Sequence, residues 1–169
     1  MTQPSEQREQ DLIWLTEKAY SALQEQLAGL RSESRSDVVA KISAAREEGD
    51  LRENGGYHAA REEQGKLESQ IRQLEDLLRG ADTTPAADDG VVKPGMVVST
   101  RFAGDDDVET FLLGAREMDD FTGDLTVYSP QSPLGTALLG AKRSDTVAYT
   151  APTGRQLKVE IVDAVPYTG

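Results

Sequence analysis

The chain contains no cysteine, which excludes disulfides, thiolate metal sites and cysteine nucleophiles. Aromatic residues are scarce, at 5% with one Trp and three Phe among 169 residues. One large core is therefore not expected; a thin helical element beside a modest globular domain is. No apolar run approaches the roughly 20 residues needed to span a bilayer. The opening residues Met1-Thr2-Gln3-Pro4-Ser5-Glu6-Gln7-Arg8 also lack the basic and apolar regions of a signal peptide. A soluble, cytoplasmic protein is the expectation. Positive charge is in short supply as well: 18 Lys and Arg stand against 30 Asp and Glu, for a formal charge of −12. Phosphate neutralisation dominates nucleic-acid affinity, so unaided binding to duplex DNA is disfavoured. Any nucleic acid this chain acts on is expected to be presented by a partner.

What the chain does have is helical periodicity. From Thr16, a reasonable N-cap, the apolar positions Tyr20, Leu23, Leu27 and Leu30 step by three, four and three residues. The polar run Ser32-Glu33-Ser34-Arg35-Ser36-Asp37 interrupts them, and apolar spacing resumes at Val38, Ile42 and Ala45. The gap from Leu30 to Val38 predicts either a stutter in one helix or a break with a restart capped by Ser36. A second pattern, Tyr57, Ala60, Gln64, Leu67, Ile71, Leu74 and Leu78, alternates steps of three and four and reads as a coiled-coil seam ending near Gly80. The short turn from Gly49 to Asn54 makes the two helices antiparallel neighbours. A helix over 54–80 is roughly 40 Å long at 1.5 Å per residue, so the hairpin over 16–80 holds its tip far from its base.

Residues 1–15 read as a flexible tail, and the small, polar, Pro-containing stretch 81–93 as a linker. After Pro94-Gly95 the period changes to that of strands, expected over 96–102, 109–113, 125–128, 146–149 and 157–162. Between the third and fourth lies Ser132-Pro133-Leu134-Gly135-Thr136-Ala137-Leu138-Leu139-Gly140, a short helix with Ser132 as cap and Pro133 at its first position. The expected class is α+β, a helical hairpin followed by a small mixed domain over 94–169.

Chemistry centres on the turn. Asp50 and Glu53 have two readings. At a helix start, Asp-x-x-Glu is a capping box, and both acids also suit the positive end of the helix dipole. Alternatively they are metal ligands, but two carboxylates are too few for a hydrolytic site, because Mg²⁺ takes near-octahedral oxygen coordination and phosphodiester cleavage commonly uses two ions. Acids that do chemistry here must complete a site on another molecule. Lys41, Arg46, Arg52 and Arg61 flank the tip, diluted by Glu47, Glu48, Glu62 and Glu63; they read as a solvated face laced with ion pairs, or, for Arg52, as a group that steers phosphate. His58 reads as surface or packing, Tyr57 as a seam residue, and Gln64 as a polar seam residue that fixes register.

Gly49-Asp50-Leu51-Arg52-Glu53-Asn54, followed by Tyr57-His58-Ala59-Ala60-Arg61-Glu62, resembles the tip signature of the GreA/GreB family of bacterial transcript cleavage factors. Ser132-Pro133-Leu134-Gly135 through Gly140 is similar to the family's C-terminal motif, and the acidic balance leans toward its GreA-like members. The resemblance runs from Thr16 to nearly the end of the chain. It implies a coiled-coil hairpin that enters the secondary channel of bacterial RNA polymerase, and a C-terminal domain of FKBP-like fold that binds the channel rim. It also implies a monomer that is not an enzyme alone. Asp50 and Glu53 fall on the family's tip acids, which position a Mg²⁺ shared with the polymerase and not held stably by the free chain, and the attacking water. The nascent RNA 3′ end is then cut and arrested complexes are rescued. Arg52, Asn54, Tyr57, Ser132 and Pro133 are the implied polymerase or RNA contacts. This chain has Gly55-Gly56 where relatives often have Ala-Glu, and Ala141 separates Gly140 from Lys142. The glycines predict a frayed start to the second helix. Rival expectations are a channel-binding inhibitor without cleavage, a prolyl isomerase, whose aromatic-lined pocket the scattered Phe and Tyr residues do not supply, and a plain coiled-coil adaptor.

Overall fold

A computed structural model describes residues 13–49 and 53–168. The chain divides into two units, one comprising residues 20–80 and the other residues 13–19 together with 81–168.

Helix α1 spans Glu17–Gly29 and belongs to the first unit from Tyr20 on; that unit also holds α2, Arg35–Glu47, and α3, Gly55–Arg79. Thr16 Oγ1 accepts from the Ala19 N–H at 3.1 Å, the capping bond its residue type predicts. Between α1 and α2 the backbone makes a π-helical turn over Leu30–Ser34. Gly29 (φ −63, ψ −41), Ser34 (φ −64, ψ −41) and Arg35 (φ −62, ψ −44) on either side remain right-handed helical, so the helix never breaks and Ser36 caps nothing. The reason is arithmetic. A seam continuing from Leu27 and Leu30 would fall on residues 34, 37, 41 and 44, whereas the apolar positions are Val38, Ile42 and Ala45, one residue late. A π turn accommodates one extra residue within an α-helix. It returns Val38, Ile42 and Ala45 to the inner face, where all three are buried.

Opposite them, α3 buries Ala60, Leu67, Ile71, Leu74 and Leu78, while Tyr57 and Gln64 are half-buried. Its 25 residues make a helix about 37 Å long. Gly80 ends it, its N–H donating to the Asp76 and Leu78 carbonyls. Arg31–Glu75 at 3.0 Å, Arg35–Glu68 at 2.8 Å and Lys41–Glu63 at 3.0 Å link the antiparallel helices along their length. Exposed pairs of this kind contribute at most about 1 kcal/mol each; they set register more than stability. Gln64 does not share that task, because its Oε1 accepts from Arg61 Nη1 on the same helix at 2.8 Å.

The second unit holds a five-stranded mixed sheet in the order β5-β4-β3-β7-β6. Its strands are β3 Met96–Phe102, β4 Val108–Leu113, β5 Thr126–Tyr128, β6 Thr146–Thr150 and β7 Gln156–Pro166. The β4–β5 pair is parallel; the other pairings are antiparallel. Alternation along β3 turns Met96 and Val98 to a core shared with Phe111, Leu113, Val159 and Ile161. Helix α4, Pro133–Leu138, closes that core with Leu134 and Leu138. A 3₁₀ turn over Arg116–Phe121, which periodicity does not announce, buries Met118.

The division of the chain differs from the tail and linker read in the sequence. Ile13–Trp14 (β1) and Ala81–Asp82 (β2) form a two-stranded parallel pair. Trp14 is 3% exposed; its Nε1 donates to the Thr84 carbonyl at 2.9 Å, and its ring meets Tyr167 edge-on at 6.3 Å. Val92, within the stretch read as linker, is buried in the sheet's core. These contacts join residues distant in sequence, so no local pattern reports them. Gly95 makes the tryptophan's place: its φ is +95, and a Cβ there would lie 2.7 Å from the Trp14 ring.

Candidate functional site at the hairpin tip

Helix α2 ends at Glu47, and the Glu48 N–H returns to the Ala45 carbonyl at 3.2 Å. Gly49 then turns the chain with φ +132, a conformation open to glycine and strained for other residues. On the far side of the turn Glu53 is exposed, and Asn54 (φ −85, ψ 96) caps α3 by accepting from the Tyr57 N–H at 3.1 Å. The other end of the same amide, Asn54 Nδ2, donates to the Ala45 carbonyl at the end of α2. One side chain thus holds the last turn of one helix and the first turn of the next. Beside it, the Arg46 guanidinium lies 5.8 Å from the centre of the Tyr57 ring, and His58 meets that ring edge-on at 5.7 Å.

This arrangement takes the capping of α3 away from the box read at Glu53. The cap of α3 is Asn54, three residues before the N–H it satisfies, and Glu53 precedes it. Glu53 is therefore not consumed by closing the helix end. Asp50 and Arg52 lie outside the described residues. Gly55 and Gly56 form the first positions of α3, and nothing stands within 4 Å of where a Gly55 Cβ would be. The helix is nevertheless formed from Gly55, ahead of the stretch to Tyr57 expected to fray, with the Tyr57 N–H bonded to the Asn54 side chain and the His58 N–H to the Asn54 carbonyl at 3.2 Å. Of the basic side chains around the tip, Lys41 pairs with Glu63, as an ion-laced face requires, whereas Arg46 stacks on Tyr57.

In the second unit, Ser132 caps α4, accepting from the Gly135 N–H at 3.1 Å and donating to the Ser129 carbonyl at 2.6 Å. Both capacities of its hydroxyl are met within the chain, while Pro133, at the first helical position, is exposed. Gly135 is what permits this loop: a Cβ there would lie 2.2 Å from the Ser129 oxygen. Sequence reading placed Ser132 and Pro133 correctly on the helix but gave Gly135 no role. It also missed the two hydrogen bonds of the Asn54 amide, although Asn directly before a helical seam is a recognisable cap signal.

Two family models cover these units. "Transcription elongation factor, N-terminal" matches residues 13–82, and "Transcription elongation factor, GreA/GreB, C-term" matches residues 87–166. The chain belongs to the GreA/GreB family of transcription elongation factors. The first match begins at β1 and ends at β2, so it takes in the strand pair as well as the hairpin. Among similar proteins, the transcription elongation factor GreA of Streptomyces coelicolor is 54% identical over 172 residues, covering 100% of both chains. That of Saccharopolyspora erythraea is 52% identical, covering 95% of this chain and 99% of the other, and that of Mycobacterium tuberculosis is 49% identical over 92% and 96%. Among solved structures, the GreA factor homolog 1 protein of Thermus thermophilus is 24% identical, with a TM-score of 0.40 over 90% of this chain and 98% of that one. No helix among the described residues of this GreA/GreB member is long and apolar enough to cross a membrane.

Proposed function

We propose that this elongation factor acts inside the secondary channel of RNA polymerase, where its tip lends Asp50 and Glu53 to the cleavage of backtracked nascent RNA. The observation that carries the reading is the tip itself. A helix about 37 Å long ends in a turn whose Glu53 is exposed and free of any capping duty, because Asn54 discharges it. Relatives about 50% identical over nearly their whole length bear the name transcription elongation factor GreA, which favours this reading over a channel-binding inhibitor.

The tip's donor set bears on the metal. Among the described residues no three His, Asp or Glu side chains are placed to hold an ion, and a pair of tip carboxylates falls short of an octahedral shell. Such a set fits a shared Mg²⁺ whose remaining ligands belong to the polymerase, and does not fit a site of this chain's own. A bound Mg²⁺ supplies charge neutralisation at the phosphate and a water made more acidic. The chain's own part is positional. Gly49 and Asn54 define the ends of the turn, the paired helices carry it, and Glu53 is presented to solvent as a ligand or as an acceptor for the attacking water. The factor is then not an enzyme alone; it completes the hydrolytic site of its partner. The exposed Pro133 and the loop that Ser132 and Gly135 hold form the candidate contact with the channel rim.

The test is a stalled elongation complex with its RNA 3′ end displaced, incubated with the protein and Mg²⁺. Shortened RNA supports the proposal; binding to the complex with RNA of unchanged length favours the inhibitor.

A further inference from the structure

We infer that Asn54 is a positioning residue that ties the end of α2 to the start of α3 and so places the adjoining Glu53, rather than a contact to polymerase or RNA. The inference rests on the proposed function for its catalytic consequence but not for its structural core. Both functional ends of the amide are occupied inside the hairpin. Oδ1 accepts from the Tyr57 N–H at 3.1 Å, and Nδ2 donates to the Ala45 carbonyl. A side chain so engaged keeps one N–H and one lone pair for a partner, half of a primary amide's capacity. The bond to Ala45 is also unlike an ordinary cap. An N-cap needs only an acceptor, which Ser and Asp supply equally well. The donor half joins α3 to α2, across the turn that carries both acids. With Gly49 at φ +132 just after α2, the two helix ends meet through features that other residues do not reproduce: a backbone conformation suited to glycine, and a side chain that accepts and donates at once. Arg46 over Tyr57 adds a second contact between the same helix ends.

Asn54→Ser and Asn54→Asp separate the two halves. Each keeps an acceptor for the Tyr57 N–H, and neither donates to Ala45 with the reach and planarity of the amide. Serine does so without adding charge. In the free protein both variants should keep the melting temperature and the protected onset of α3. Both should also show lower backbone order at Gly49 and Glu53, read from ¹⁵N relaxation. In the cleavage assay, polymerase affinity should be unchanged. The rate at saturating factor should fall about tenfold or more, the scale of effect that misplaced groups produce, and the Mg²⁺ concentration for half-maximal rate should rise. Unchanged relaxation in both variants overturns the inference whatever the cleavage result, including a parent protein that stimulates no cleavage. Weaker polymerase binding with parental turn dynamics also overturns it, since Asn54 is then a contact. A loss confined to Asn54→Asp assigns the effect to charge and overturns it too.

Discussion

Arg35 grips Glu68 across the hairpin with two hydrogen bonds, Nε to Oε1 and Nη2 to Oε2, each 2.8 Å long. The fork geometry makes this the most directional of the cross-helix pairs, and Arg35 is the first residue after the π turn. Register is therefore fastened where the helix has just absorbed its extra residue.

The pair sets a pH dependence whose sign is determined. The hydrogen bond from Arg35 holds the Glu68 carboxyl below its ordinary value, aided by the charges of Arg35 and Arg72 and opposed by desolvation. A carboxylate with a lowered folded pKa contributes stability that is present above its unfolded value, about 4.3, and is lost as pH falls through the folded value. Acidification below about pH 4.3 should lower the melting temperature of the parent more steeply than that of Glu68→Gln. Circular dichroism melts from pH 7 to 3 measure it; parallel curves would contradict it.

Removing Ser32 should leave a continuous hairpin. The deletion brings Val38, Ile42 and Ala45 into the heptad set by Leu27 and Leu30, so the π turn loses its reason to exist. Far-ultraviolet circular dichroism should show parental or greater helicity, and the hydrogen bond from Ser32 Oγ to the Ala28 carbonyl, 2.8 Å, is dispensable on an exposed face. A marked loss of helix would show that the turn is required for more than phase.

The glycines should divide sharply. Gly135→Ala forces a Cβ to 2.2 Å from the Ser129 oxygen, and Gly95→Ala combines a φ of +95 with a Trp14 ring 2.7 Å away. Each should destabilise the second unit by roughly 1–3 kcal/mol or more. Gly55→Ala meets open space at the start of α3 and should stabilise the hairpin by roughly 0.4–1 kcal/mol. Urea titrations read by Trp14 fluorescence follow the second unit, which holds the chain's one tryptophan; helical signal follows the hairpin. Equal effects at the three positions would contradict the steric account.

These contrasts show where sequence reading reached and where it stopped. The seam of α3, the Thr16 cap, the strands at 96–102 and 146–149 and the Ser132-Pro133 helix start are local patterns, and local hydrogen bonding or alternation realises them as read. The eight-residue gap after Leu30 contained the π turn, but one extra residue fits a break equally well until backbone geometry is known. Trp14 and Val92 were placed in a tail and a linker, because their partners lie about 70 and 50 residues away at Thr84 and Ala141. At the tip, the residue types and spacing marked Asp50 and Glu53, yet the capping role assigned to them as an alternative belongs to Asn54. Two Asx-type caps within five residues compete for one helix end, and the winner is decided by where the helix begins.

The measurement closest to the central claim is RNA cleavage by a stalled, backtracked elongation complex, with the double variant Asp50→Asn, Glu53→Gln beside the parent protein and a binding competition on the same samples. The Asn54 cap and the buried seam keep their own residues in this variant, and the hairpin should keep its melting temperature and its affinity for polymerase. The account predicts that the parent shortens the RNA in a Mg²⁺-dependent reaction and that the double variant binds equally well without shortening it. Full cleavage by the double variant would contradict the role of the tip acids.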